Sequence, residues 1–194
     1  MIIGGIQRVS FIDYPGKISC VIFARGCNFR CFYCHNPELI YPELFKDTVS
    51  LVSLLGFLRE RKGKIDAVVL SGGEPTIQDD LPEFLESIRN EGFLVKLDTN
   101  GSRPEILKQI VDRKLVDYIA MDIKTSFFKY SLVTLTNVDT DKIRESIKII
   151  INSGLNYEFR TTWDKKIIDN PEIEEIRSYL NPESTYVLHD MNRY

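Results

Sequence analysis

Short apolar runs alternate with amphipathic stretches along most of this 194-residue chain. The apolar runs are rich in Val, Ile, Leu, Phe and Tyr, which is typical of strands buried on both faces of a parallel sheet. We therefore predict six strands. They cover residues 18–24, 67–71, 93–98, 118–122, 157–161 and 185–189.

The stretches between these runs have the 3.6-residue period of amphipathic helices. Strong helical stripes cover residues 81–88, 143–151 and 173–180, and weaker ones cover 49–61 and 103–114. Asp79 and Asp80 precede the first stripe as candidate caps, and Gly154 follows the second as a typical helix stop. Asn170 and Pro171 precede the third as the predicted N-cap and first helical residue.

Strands that alternate with helices favour an α/β fold with a parallel sheet and crossover helices. Six strands are too few to close a barrel of the eight-stranded kind. An open, partial barrel and a doubly wound sheet both agree with this pattern.

Composition and charge narrow the class of protein. The hydrophobic fraction of 43% and the length predict one globular domain over residues 1–194. The net charge of −3 gives no strong attraction to nucleic acid or to an acidic membrane. No apolar run is long enough to span a bilayer, and the N-terminus lacks the features of a signal peptide. We expect a cytoplasmic protein.

All four cysteines lie between positions 20 and 34, which is not the spread of a disulfide framework. Cys27, Cys31 and Cys34 form a Cys-x3-Cys-x2-Cys run that can hold three corners of a [4Fe–4S] cluster and leave the fourth iron open. The alternative is a structural zinc site with His35 or Cys20 as the fourth ligand. Cys20 fits better as a buried thiol of the first strand.

Polar or glycine-rich residues follow each predicted strand, and the carboxyl ends of parallel strands are where α/β folds bind ligands. One site can therefore gather the cysteine run and several other groups. They are Gly72, Gly73 and Glu74 after the second strand, Asp98 and Thr99 after the third, Asp122 and Lys124 after the fourth, Arg160 in the fifth and His189 in the sixth.

These groups suit one kind of ligand. An open iron binds a chelating amine and carboxylate, and the glycine pair lets the backbone approach an ammonium, with Glu74 or backbone carbonyls accepting its hydrogen bonds. Arg160 or Lys124 could neutralise a carboxylate. Asp98, Thr99 or Asp122 could bond ribose hydroxyls, and Tyr33 and the backbone around His35 could flank an adenine. The list fits an amino acid joined to a nucleoside.

Several of these residues also have a plain structural interpretation: Gly72 and Gly73 could simply form a turn, and His189 could be a near-terminal histidine bonded within the chain. Asp98 and Asp122 could cap helices that follow their strands. Lys124 could be a solvated side chain. Arg160 could pair with Glu158 on its own strand.

The chain resembles the radical S-adenosylmethionine (SAM) superfamily, and more narrowly the activating proteins of glycyl-radical enzymes, above all those of anaerobic ribonucleoside-triphosphate reductase. The matching stretches run in order along nearly the whole chain. They are FIDYPGK at 11–17, ARGCN at 24–28, CHNPE at 34–38, LSGGEP at 70–75, DTNG at 98–101, MDIK at 121–124 and YEFRTT at 157–162.

The resemblance implies a partial (β/α)6 barrel in which Cys27, Cys31 and Cys34 ligate a [4Fe–4S] cluster and SAM chelates the open iron. One electron would cleave SAM to methionine and a 5′-deoxyadenosyl radical, which would take a hydrogen atom from a glycine Cα of a partner enzyme. A flavodoxin- or ferredoxin-type donor would supply the electron. The implied cofactor contacts are Tyr33, His35, the turn Gly72-Gly73-Glu74, Asp98, Thr99, Asp122, Lys124, Arg160 and His189.

Two features depart from the family pattern: the unusual surroundings of the aromatic–Lys–Tyr core in residues 125–138, and an end at Tyr194, soon after the sixth strand. Both concern the approach of a target. A radical enzyme for a small molecule therefore stays an alternative to an activase, and a metal-stabilised binding protein without catalysis is a third hypothesis.

Overall fold

The computed structural model describes residues 1–164 and 168–190, which form a seven-stranded sheet with helices on one side. The strands are β1 (Ile3–Ser10), β2 (Ser19–Ala24), β3 (Ala67–Gly72), β4 (Leu94–Thr99), β5 (Tyr118–Asp122), β6 (Asn156–Trp163) and β7 (Tyr186–Asp190). β1 is antiparallel to β2, and β2 to β7 are parallel neighbours in chain order.

Seven α-helices occur in the described ranges, most of them in the crossovers between parallel strands. They are α1 (Pro37–Ile40), α2 (Leu51–Glu60), α3 (Leu81–Asn90), α4 (Pro104–Asp112), α5 (Tyr130–Thr134), α6 (Thr140–Ile151) and α7 (Asn170–Ser178). A short 3-10 helix, Phe127–Lys129, leads directly into α5.

The main core lies between the outer face of the sheet and the helices. Alternate strand residues such as Ile22 and Leu70 pack there against the apolar faces of the helices. The opposite, inner face is different. Val21 and Val69 form a small apolar cluster with Tyr14 near the amino ends of the strands, and β4 places the charged Lys96 on this side.

The strand order settles the two architectures that the pattern left open. A doubly wound sheet reverses its strand order at a switch point, whereas this order follows the chain from β1 to β7, with β1 and β7 at the two edges. The sheet is thus the predicted partial barrel of six parallel strands, extended by one antiparallel strand.

The six predicted strands are confirmed, with ends that shift by one or two residues. β1 was not predicted. Its sequence, IGGIQRVS, has a glycine pair and then polar residues, so it lacks the apolar run by which the other strands were predicted. An edge strand can have such a sequence because fewer of its positions are buried than in a central strand. Its hydrogen bonds with β2 still order it from Ile3 onwards.

The predicted helices are also present, with one correction at α7. The N-cap is Asp169, not Asn170: the Asp169 carboxylate accepts a hydrogen bond from Glu172 N, and Glu172 in turn accepts one from Asp169 N. This capping box satisfies two backbone donors at once, so it displaces Asn170 into the helix.

No helix in the described part of the chain is long and apolar enough to cross a membrane.

Candidate active site

The three cysteines of the run line one cavity at the carboxyl end of the sheet. Its volume of about 220 Å³ exceeds the space of a few waters, so it can hold a bound group. Burial raises the pKa of the Cys27 thiol to about 12, with Glu74 adding to the effect, and burial also raises that of Cys31. Burial thus favours the protonated form of the Cys27 and Cys31 thiols, and metal binding there must release those protons.

Arg30, inside the cysteine loop, fixes the loop's path. Its backbone N–H donates to Thr134 O at the end of α5 (2.8 Å), and its guanidinium donates to Cys27 O (2.5 Å) and Phe29 O (2.9 Å). Phe29 is buried in the main core. The loop is thus held on one side by the core and on the other by the 125–138 segment.

The glycine turn after β3 packs directly against the start of the cysteine loop. Gly73 N donates to Ala24 O and Glu74 N donates to Gly26 O, both at 2.8 Å. A Cβ on Gly73 would lie 2.7 Å from the Gly26 carbonyl carbon and closer still to its oxygen. Gly72 has φ of +106°, which favours glycine. The glycine pair is therefore required by the contact between the two backbone segments, apart from any ligand.

Glu74 is 1% exposed, and its carboxylate is fully engaged within the chain. Oε1 accepts hydrogen bonds from Thr76 N, Thr76 Oγ1 and Thr99 Oγ1, and Oε2 accepts one from Asn100 N at 2.6 Å. Burial raises its pKa, and these donors oppose the shift. Glu74 thus ties the turn after β3 to the turn after β4.

Asp122, Lys124 and Arg160 form a charged corner of the cavity. Lys124 Nζ lies 2.9 Å from Asp122 Oδ2, and Arg160 Nε lies 2.8 Å from Asp122 Oδ1. Burial alone would raise the pKa of Asp122, but Arg160 and Lys124 outweigh it and hold that pKa well below the usual range. Asp122 does the reverse for Arg160, whose pKa is raised despite burial. Asp122 is thus shared by two cations, and one of them, Arg160, also lies 3.4 Å from Asp98 Oδ2.

The lowered pKa of Asp122 predicts a specific pH dependence of stability. The pairs contribute fully above the ordinary aspartate pKa of about 3.9, and the contribution is lost as pH falls because the unfolded chain takes up the proton first. The difference in unfolding free energy between wild type and Asp122→Asn should be largest near neutral pH and shrink toward acid. Urea titrations of the metal-free chain at several pH values measure it.

The matched control for this prediction is Asp141→Asn, because the Asp141 side chain is 93% exposed and lies 3.9 Å from Arg144. Its effect on the unfolding free energy should be small at every pH. A pH-independent difference for Asp122→Asn would contradict the assigned pairing.

All predicted site residues except His189 line the cavity. His189 stands beside Thr162 in the β6–β7 register, and only Thr162 reaches the lining. The helix-cap interpretation of the two aspartates is wrong: Asp98 lies in β4, and the N-cap position of α4 is Arg103. Arg160 does approach Glu158, at 3.8 Å, but its nearer partner is Asp122.

Sequence reasoning missed two groups around the cavity. Asn28, in the cysteine loop, donates to Ser102 Oγ (2.8 Å) and accepts from Asn100 Nδ2 (3.0 Å), which fastens the loop to the turn after β4. Lys96 and Glu158 lie on the inner face of the sheet, 3.5 Å apart. A lysine inside the apolar run Val95-Lys96-Leu97 was a detectable signal, since a buried charge needs a partner.

The lining fits the cofactors that the resemblance implies. Three thiols supply soft ligands for iron, and two buried oxygens in the lining, Tyr33 Oη and Asp98 Oδ1, accept or donate no hydrogen bond within the described chain. Asp98 Oδ1 does lie 3.3 Å from the Lys96 ammonium, so Tyr33 Oη is the buried oxygen of the two that has no polar partner in the part of the chain that the structure describes. No three His, Cys, Asp or Glu side chains among the described residues are grouped closely enough to hold a single metal ion; the three cysteines share the cavity without forming such a group. Cys20 is buried in the core.

Comparison with known proteins agrees with this donor set. The pattern of the radical SAM superfamily matches residues 21–164. A protein of Methanocaldococcus jannaschii named as a glycyl-radical enzyme activating enzyme is 37% identical over 193 residues, which cover 96% of this chain and 78% of that protein. The pyruvate formate-lyase-activating enzyme of Clostridium pasteurianum is 34% identical over 135 residues, 63% of this chain and 52% of its own. The solved structure of methylornithine synthase has a TM-score of 0.64 at 13% identity, over 88% of this chain and 52% of that one, a likeness of fold alone.

Proposed function

The chain belongs to the radical SAM superfamily, whose members use a [4Fe–4S] cluster and SAM, and we propose that it installs a glycyl radical on a partner enzyme. The observation that carries the proposal is the cavity that gathers three thiols, the cations Lys124 and Arg160, and two buried polar oxygens. Relatives named as activating enzymes over most of this chain support the choice of a protein target.

In this proposal the cysteine loop provides the metal ligands. Cys27, Cys31 and Cys34 each hold one iron of the cluster, and the contacts of Arg30 and Asn28 keep the loop in place when the thiols lose their protons. A cluster held there would, when reduced, supply one electron for the cleavage of SAM to methionine and a 5′-deoxyadenosyl radical. That radical would take a hydrogen atom from a glycine Cα of the partner, which would leave 5′-deoxyadenosine and the glycyl radical. The fourth iron is left to SAM because the run offers three thiolates.

The rest of the lining divides between the two ends of SAM. Lys124 and Arg160 attract its carboxylate, and backbone carbonyls of the turn at Gly72 and Gly73 accept hydrogen bonds from its ammonium. Asp98 bonds the ribose hydroxyls, and Tyr33 and the backbone at His35 flank the adenine. Thr99 and Glu74 act indirectly, since their side chains bond to each other.

We further propose anaerobic ribonucleoside-triphosphate reductase as the partner, a flavodoxin- or ferredoxin-type protein as the electron donor and the cytoplasm as the compartment. The segments similar to reductase activases support this choice of partner. The likeness to a pyruvate formate-lyase-activating enzyme makes that class of target the natural comparison in a test.

The test is anaerobic. The chain is loaded with iron and sulfide, reduced with dithionite and mixed with SAM and a candidate glycyl-radical enzyme. We expect 5′-deoxyadenosine to form and a glycine-centred EPR doublet to appear on the partner. The matched control is the partner with its radical glycine replaced by alanine, which should give no doublet.

Two outcomes would contradict the proposal at different levels. If SAM is cleaved but no glycyl-radical enzyme gains a doublet, the target is wrong, and a product formed from a small molecule alone would favour the alternative function. If a loaded, reducible cluster leaves SAM intact with and without every partner, the activase proposal fails as a whole.

A further inference from the structure

We propose that Lys96 is a positioning residue that holds Asp98 and Arg160 in place from beneath the cavity and so sets the affinity for SAM. This inference rests on the proposed function. It assigns a role to a side chain that does not itself line the cavity.

Lys96 lies on the inner face of β4 and is 2% exposed. Its ammonium donates to Asp13 O (2.7 Å) and lies 3.3 Å from Asp98 Oδ1 and 3.5 Å from Glu158 Oε1. It also lies 5.5 Å from the centre of the Tyr118 ring. Burial of an ammonium costs free energy unless such partners surround it. The Lys96 ammonium is therefore held in one position by these contacts.

The two carboxylates that Lys96 contacts face the same guanidinium. Arg160 Nη1 lies 3.4 Å from Asp98 Oδ2 and 3.8 Å from Glu158 Oε1, while Nε of the same side chain bonds Asp122. The cluster therefore contains three positive and three negative side chains: Lys96, Arg160 and Lys124, and Asp98, Glu158 and Asp122. Removal of the ammonium would leave Asp98 and Glu158 competing for Arg160 and draw it away from Asp122.

Such a shift would reach the ligand through two residues. Asp98 and Arg160 both line the cavity, one beside the proposed ribose position and one in the corner proposed for the carboxylate. Lys96 is held from the other side by Asp13, in the loop between β1 and β2, so it has a fixed base from which to orient Asp98. The cysteine loop makes none of these contacts, and iron loading should not depend on them.

The test uses the cluster-loaded protein. Lys96→Met should keep wild-type iron content and bind SAM about ten-fold more weakly in anaerobic equilibrium dialysis, a free-energy change of about 1.4 kcal/mol. In 5′-deoxyadenosine formation, KM for SAM should rise while kcat changes little. The matched control is Lys108→Met, which removes a lysine paired with Asp112 at 2.8 Å on the exposed face of α4 and should leave both quantities unchanged.

A double variant tests whether Lys96 affects SAM binding by positioning Asp98 or by stabilising the fold as a whole. If Lys96 acts through Asp98, Lys96→Met should weaken SAM binding far less in an Asp98→Asn background than in the wild type. Fully additive losses, or wild-type affinity in Lys96→Met, would overturn the inference. Should Lys96→Met not fold, Lys96→Met/Glu158→Gln restores the charge balance and should still bind SAM weakly; wild-type affinity there would also overturn it.

The wild-type protein distinguishes the two levels of failure. If it binds and cleaves SAM while the Lys96 variants match it, only the positioning inference fails. If the loaded wild type binds no SAM, the proposed function fails and the inference with it.

Discussion

Replacement of any one of Cys27, Cys31 or Cys34 by alanine is expected to abolish both the intact cluster and SAM cleavage. In the proposed function each thiolate holds a different iron, and the described residues around the cavity offer no further cysteine to replace a lost one. The expected loss is complete because a cluster without one of its three protein ligands does not persist. Iron and sulfide content after reconstitution, and 5′-deoxyadenosine by chromatography, measure the two effects separately.

Cys20→Ala is the matched control for these variants. The Cys20 thiol is buried on the helix-covered face of β2, and burial raises its pKa to about 12. The change should cost about 1–2 kcal/mol of unfolding free energy for a small core cavity and leave iron content and turnover intact. Loss of iron in Cys20→Ala, or a stable cluster in Cys31→Ala, would show that the ligands are assigned wrongly.

Gly73→Ala is expected to disturb both the fold and the site. The new Cβ would meet the Gly26 carbonyl group far inside van der Waals distance, and backbone atoms cannot rotate away as a side chain does. The turn after β3 must therefore separate from the cysteine loop, with loss of the bonds from Gly73 N and Glu74 N. We expect several kcal/mol of destabilisation, on the scale of overpacked cores, and reduced iron uptake. Chemical denaturation and iron analysis measure the two.

The control for Gly73→Ala is Gly56→Ala, in the middle of α2, where a Cβ meets no atom within 4 Å. Alanine favours the helix, so the variant should be stabilised by about 0.5–1 kcal/mol and load iron normally. If Gly73→Ala keeps its stability and iron content and loses only SAM affinity, the glycine serves the ligand and not the contact between the two loops.

The parts of the fold that obey a local pattern were predictable from the sequence. A buried parallel strand is marked by its own apolar run, and its carboxyl end by the polar residues that follow, so Asp98, Asp122 and Arg160 were expected at one edge before any coordinates. β1 was not, because it is ordered by its partner β2 and not by a pattern of its own. Whether the sheet was doubly wound could not be decided either, since strand order depends on how crossovers pack.

The roles of the site residues could be predicted less well, because they depend on contacts between side chains that are distant in the sequence. Glu74 looked available for a ligand, and only the structure reveals that Thr76, Thr99 and Asn100 occupy its oxygens. His189 was expected among the contacts because of its strand-end position, but it lies outside the lining, beside Thr162 of β6. Lys96 is the opposite case, because it was not expected at the site from the sequence. It is a charged residue in an apolar run, and its partners lie on β6 and in the loop after β1.

The agreement between spatial and chain order of the strands also bears on how the chain folds. Each new strand can dock on the one made just before it, so the sheet can grow from its amino-terminal end during synthesis without waiting for distant segments. The cysteine loop emerges early, after β2, whereas Arg160 arrives only with β6. The three thiols are therefore synthesised well before β6 supplies Arg160, the last residue of the charged corner.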